Sequence, residues 1–153
     1  MRIYFVRHAE AVDRNDWEGE DMSRPLTKDG IKKFKSFFKK IYKNIKKPEL
    51  IICSEALRSN KTAEIIGDFF KLEPTVDQRI NPGADILQYK TVVSELEEKE
   101  IGTVLIVGHE PDLSNFISLY ISEKTATIKM KKGAFCHIKD RVLYNLIQPD
   151  MNC

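Results

Sequence analysis

The chain alternates between short apolar runs rich in β-branched residues and longer stretches in which apolar residues recur every three or four positions. Runs of the first kind are "IYFV" at 3–6, "ELIIC" at 49–53 and "TVLIV" at 103–107, with a weaker one, "TVDQRI", at 75–80. Their length and composition predict buried strands. Between the first two, the spacing of Ile31, Phe34, Phe37, Phe38, Ile41 and Ile45 predicts a helix with one apolar stripe. Thr27 is placed to cap it, with Asp29 in the first turn. Ser54, as a cap, and Glu55 open a second predicted helix that runs to about Leu72. A third covers 86–100 and is closed by Gly102, and Pro111 suits the first position of a fourth that ends near Ile121. The stretch 134–147, "AFCHIKDRVLYNLI", alternates on either side of a Lys139-Asp140-Arg141 turn, as a hairpin does.

Strands separated by helices must be joined by crossovers, and crossovers make neighbouring strands parallel. The pattern therefore predicts an α/β fold, a three-layer sandwich with a mainly parallel sheet made mixed by the closing hairpin. No repeat or linker interrupts it, so residues 1–153 read as one domain, long enough for a substantial core.

Composition narrows the function classes. Net charge is +2, from 25 basic and 23 acidic residues, too balanced for a dedicated nucleic-acid binder. No segment approaches the ~18 apolar residues of a membrane span. The N-terminal apolar run is too short for a secretory signal, so a cytoplasmic location is expected. Three cysteines without CxxC spacing argue against a zinc site or disulfide framework, and Cys53 and Cys136 read as buried apolar residues. Charge is uneven, however: 13–21 is mostly acidic and 31–47 is basic. The lysines of 31–47 read as the solvated face of a helix packed on the sheet, in preference to a membrane or RNA surface.

In parallel α/β sheets, ligands collect at the carboxyl ends of the strands, where helix N-termini offer free N–H groups. Three predicted strands end in polar clusters: Arg7-His8-Ala9-Glu10, Ser54-Glu55-Ala56-Leu57-Arg58 and Gly108-His109-Glu110-Pro111. Parallel strands would bring two arginines and two histidines to one edge, where they repel one another unless an anion lies among them. A phosphoryl group fits best, because guanidinium forks grip two oxygens and imidazole can donate to oxygen or attack phosphorus. A metal held by His8 and His109 with Glu10, Glu110 or Asp112 is opposed by the adjacent arginines. His137, inside an alternating run, reads as structural.

Four segments, "VRHAE", "RPLTKDG" (24–30), "CSEALRSNKTAEII" (53–66) and "VGHEPDLS" (107–114), together resemble the histidine phosphatase superfamily, and within it the short phosphohistidine phosphatases of the SixA type. The resemblance implies a phosphoglycerate mutase-like fold and a phosphatase needing no metal or other cofactor. His8 would be the nucleophile, forming a phosphohistidine intermediate, with Arg7, Arg58 and His109 holding the phosphoryl oxygens. Ala9 stands where the superfamily's RHG signature has glycine. The segment where many members carry a general acid offers only Asp85, with Glu10 as a further candidate. Imidazole leaves with a pKa near ~7 and needs far less acid help than an alkoxide, so this scarcity suits phosphoramidate hydrolysis. The short chain leaves no room for a lid insertion, and an open site suits a phosphorylated protein, such as a phosphorelay histidine domain. The acidic loop with Trp17 could border that site, although a solvated loop is the plainer expectation. The alternatives are a small-molecule phosphomonoesterase or mutase and a non-catalytic phosphoprotein-binding module.

Overall fold

The alternation seen in the sequence becomes physical layering. A computed structural model describes residues 1–122 and 128–149. The elements in chain order are β1 (Arg2–Arg7), α1 (Lys28–Ile41), β2 (Leu50–Cys53), α2 (Leu57–Phe70), β3 (Thr75–Val76), α3 (Ile86–Glu98), β4 (Thr103–Gly108), α4 (Asp112–Ser122), β5 (Phe135–Lys139) and β6 (Val142–Ile147). The strands form one sheet in the order β3-β2-β4-β1-β5-β6. β1, β2, β3 and β4 run parallel, and β5 and β6 are antiparallel additions at one side. This is the mixed α/β sheet that the pattern predicts.

Side chains of a strand alternate between faces. Tyr4, Val6, Ile51, Leu105 and Val107 meet α1 and α2 on one side, while Ile3, Phe5, Ile52, Val104 and Ile106 meet α3 and α4 on the other. The central strands are buried on both faces, which is why they read as unbroken apolar runs. On α1, Phe34, Phe37, Phe38 and Ile41 are buried and the lysines point outward. Thr27 caps this helix, accepting from the Gly30 N–H at 2.8 Å. Phe38 is stacked on Phe34 and meets Phe69 and Phe70 edge-on, tying α1 to α2. No helix among the described residues is long and apolar enough to cross a membrane.

Several boundaries differ from the sequence reading, each for a local reason. Beyond Val76 the Asp77 carboxylate accepts from the Arg79 N–H, starting a single turn at Gln78–Ile80 that ends the strand. Lys71 takes a left-handed φ of 55°, so α2 stops at Phe70. Glu100, at φ 57°, turns the chain after α3 in place of Gly102. Ala56, with no side-chain cap, precedes α2, and Ser54 is used elsewhere. Pro111 lies just before α4, which begins at Asp112.

Replacing Phe38 with alanine empties the α1–α2 seam. It is expected to cost about 3–5 kcal/mol in urea denaturation, and a loss under 1 kcal/mol would contradict this packing.

Candidate active site

Strand register brings the charged residues together. Arg7 is aligned with Gly108 and Cys53 with Val107, so His8, Ser54 and His109 leave the sheet side by side at its carboxyl edge. The two imidazoles face each other with ring centres 5.2 Å apart. Arg58 joins them from the first turn of α2, and its side chain is buried. All four residues expected at this edge are there.

His8 Nδ1 lies 2.7 Å from the Ala9 carbonyl oxygen. A carbonyl can only accept, so Nδ1 carries the proton and Nε2 keeps its lone pair. Burial, with Arg58, Arg7 and Arg24 nearby, brings the His8 pKa down to about 3, although the bond to Ala9 opposes the shift. The ring is therefore neutral at physiological pH, with the Nε2 lone pair free. Ala9 is held by the Thr62 hydroxyl, which accepts its N–H at 3.0 Å and donates to the Arg58 carbonyl at 2.7 Å. Ala9 is not among the described residues with positive φ, so a methyl group in place of glycine adds no backbone strain.

His109 is lowered further, to about 2, by burial and then by the charges of His8, Arg58, Arg24 and Arg7. Its Nε2 is 2.7 Å from Ser54 Oγ. A Ser54 hydroxyl donating to Nε2 puts the ring proton on Nδ1, a buried atom without a protein partner. Arg7 Nε and Arg58 Nε are buried and unpartnered as well. Buried donors are rarely left unsatisfied. Three of them at one sheet edge suit a tetrahedral oxyanion.

Sequence reasoning missed the residues that hold these groups in place. Asp21, in the acidic loop, accepts from Arg58 Nη1 with its carbonyl at 2.8 Å and from Nη2 with its carboxylate at 2.9 Å. Its other carboxylate oxygen takes Arg24 Nε at 3.1 Å, and Arg24 Nη1 donates to the Val12 carbonyl at 2.7 Å. Arg24 was visible only as the first residue of "RPLTKDG". Ser54, expected to cap α2, is completely buried, and its N–H donates to Ser59 Oγ at 3.2 Å. The Ser59 hydroxyl in turn donates to the Val107 carbonyl. Arg7 is anchored through Nη1 to the Met130 carbonyl at 2.8 Å. Gly30 of the same motif packs against the loop that follows His8, since a side chain there would collide with the Glu10 carbonyl oxygen.

The two candidate acids fare differently. Asp85 accepts the Gln88 N–H at 2.8 Å while Gln88 returns a bond to the Asp85 N–H, which makes it the cap of α3. Glu10 has an exposed side chain beside the site, and its carbonyl accepts the Thr27 N–H. Glu110, weighed only as a metal ligand, is half-buried; burial pushes its carboxyl above the ordinary range although Arg7 lies near, and Ser114 donates to it. Asp112 is engaged by the Gly83 N–H. Among the described residues no group of three His, Cys, Asp or Glu is placed to hold a metal ion. Trp17 turns inward on its loop, donating to the Glu20 carbonyl, and His137 accepts from Arg2 Nε in a structural role. Burial raises the Cys53 thiol to about 11, so it stays protonated beside the site.

Residues 3–81 match the model of the Histidine phosphatase superfamily (branch 1). The chain belongs to the histidine phosphatase superfamily. An uncharacterised protein of Picosynechococcus sp. is 32% identical over 117 residues, 76% of this chain and 70% of its own. The fold is shared with the protein histidine phosphatase SixA, solved with tungstate (TM-score 0.86, 19% identity, 97% of both chains). It is also shared with the putative phosphohistidine phosphatase SixA of Agrobacterium tumefaciens (0.82, 19%, 97% of this chain and 98% of the other). A putative α-ribazole-5'-P phosphatase of Escherichia coli has the same fold, at 0.78 and 17% identity over the whole of both chains. Fold and family thus agree with the motifs, while the neighbours act on more than one kind of substrate.

The buried histidines of this superfamily member make its stability depend on pH. Unfolded imidazoles take up protons below about 6.5, whereas folded His8 and His109 wait until about 3 and about 2. The unfolded state therefore binds more protons in between, and stability is complete above about pH 6.5 and is lost as pH falls towards 3. Urea denaturation at pH 7 and 5 is expected to show a loss on the order of 2 kcal/mol per pH unit, roughly halved in His8→Gln. Equal stability at both pH values would refute buried neutral imidazoles.

Proposed function

We propose that the protein is a phosphohistidine phosphatase that removes phosphoryl groups from histidines of other proteins. The observation that carries this reading is the use of Asp85 as a helix cap, which takes the expected general acid out of the chemistry. A sugar or glycerate alkoxide leaves poorly without a proton, whereas an imidazole with a pKa near ~7 leaves readily. The structural likeness to SixA proteins supports the same substrate class.

In this mechanism His8 Nε2 attacks phosphorus in line. The bond from phosphorus to the substrate nitrogen breaks, and the departing imidazole takes a proton from solvent. Water then attacks the phosphoryl group on His8, releasing inorganic phosphate and restoring the neutral ring. Arg7, Arg58, Arg24 and the His109 Nδ1 proton balance the charge on the equatorial oxygens. The arginines supply the positive charge that a metal ion provides in other phosphoryl transfers, so the proposed reaction needs no cofactor. Ser54 orients His109. A cytoplasmic protein of a phosphorelay is the expected class of partner.

Glu110 favours a second reading, a small-molecule phosphomonoesterase. Its raised carboxyl near Arg7 keeps a proton more readily than an ordinary glutamate. Under that reading, Glu110→Gln abolishes turnover of sugar or nucleoside phosphates. Under the phosphohistidine reading it leaves phosphohistidine turnover within about threefold.

With a phosphohistidine protein as substrate, His8→Ala is expected to abolish phosphate release, and Arg58→Ala to lower it on the order of 10²- to 10³-fold. Ser54→Ala is expected to lower kcat about tenfold with KM little changed, and Ser54→Thr to restore most of it. Wild-type protein that releases no phosphate, or undiminished release by His8→Ala, would falsify the proposal.

A further inference from the structure

Beside α1, two hollows open towards the β5–β6 hairpin. One, of about 690 Å³, is lined by Phe34, Phe37 and Ile41 and rimmed by Lys33, Lys40 and Lys132. The other, of about 580 Å³, lies over Tyr4, Phe135 and Ile147 and carries Arg2 and Lys46. They share Lys40 and Ile41 and so adjoin as a groove beside α1. Its upper end reaches Ala9 and Glu10, the two residues that follow His8.

This face concentrates the protein's positive charge. Residues 28–47 hold nine lysines and one acid, although the whole chain is only +2. The single acid, Asp29, pairs with Lys33 at 2.6 Å, but both side chains are about two-thirds exposed, so the pair is weak and exchangeable. Lys40 and Lys132 are exposed. The floor is apolar but closely packed: Tyr4, Phe34, Phe37 and Phe135 are each more than nine-tenths buried. A ligand therefore gains more from charge than from burying new apolar surface.

We propose that this groove docks an acidic amphipathic helix of the phosphoprotein substrate, setting its phosphohistidine over His8. The proposal rests on the phosphohistidine reading above and names where specificity for the protein substrate lies. A helix laid in the groove is held chiefly by carboxylates on its flanks that meet the lysine rims, and its apolar side packs against the lysine stems that line the walls. A bilayer fits less well. Membrane-surface helices turn their apolar stripe outward, and α1 spends its own against the sheet. RNA fits less well too, because the aromatic residues of the floor offer no exposed face for bases to stack on.

The test compares two substrates, a phosphohistidine-bearing acidic helical protein and inorganic phosphoramidate, with the wild type and a Lys33→Glu, Lys40→Glu, Lys132→Glu variant. On the protein, kcat/KM is expected to fall on the order of 10- to 100-fold and to lose most of its salt dependence. On phosphoramidate it should stay within about twofold, which also shows that the variant is folded. An equal fall on both substrates, or none on the protein, overturns the groove. Should the wild type hydrolyse neither, the phosphohistidine reading fails, and the groove is judged by anisotropy with a labelled acidic amphipathic peptide. Salt-dependent binding that the variant loses sustains it. Equal binding by both proteins, or lysine-dependent binding of phosphatidylglycerol vesicles or single-stranded RNA without the peptide, overturns it.

Discussion

The constraint on which everything else depends is the parallel register of β2, β4 and β1. It sets His8, Ser54 and His109 level at one sheet edge, and α2 adds Arg58 from the side. Three guanidinium groups and two imidazoles cannot share so small a volume if every one of them is charged. The structure resolves this by burying the imidazoles, which keeps them neutral, and by leaving the positive charge on the arginines. The same burial leaves His8 with a free ring lone pair at neutral pH, which the proposed chemistry requires. Folding and chemistry thus draw on one electrostatic arrangement, and acid conditions threaten both.

Neutrality alone does not define a site, because each ring has two nitrogens. The Ala9 carbonyl decides the tautomer of His8, and the Ser54 hydroxyl can decide that of His109. Behind each stands a buried hydroxyl on α2: Thr62 holds Ala9, and Ser59 holds Ser54. The inner face of α2 is therefore as much a part of the site as the strand ends, since it turns helix packing into proton placement.

What the sequence revealed and what it hid divide along the same line. Strand ends are legible because an apolar run stopping at charged residues is a local pattern, and "IYFVRHAE" and "TVLIVGHE" both show it. Helix faces are legible for the same reason, as in the 31–47 stripe. The role of Ser54 was hidden because a serine ahead of a helix looks like a cap, and only register brings it to His109. Asp21 lay unnoticed among other acids, and its contact with Arg58 spans 37 residues. Asp85 shows the opposite case: its position suggested chemistry, and Gln88 three residues later completes a capping box, a structural role that was open to view in the sequence.

Asp21 also bears on how a cluster of arginines proposed to bind phosphate can contain a carboxylate at all. A lone carboxylate would repel an anion, but this residue binds the terminal nitrogens of Arg58 and leaves Nε unpartnered. It also ties Arg24 to the same cluster. Burial and the two arginines act in opposite senses on the Asp21 carboxyl, and the arginines prevail, holding it below its ordinary pKa. The acid therefore remains ionised and offsets part of the charge of the arginines it orients. The guanidinium planes are thereby held in one orientation, as the proposed binding of a phosphoryl dianion requires. The two arginine partners of Asp21 thus account for an acidic residue packed into a basic cluster.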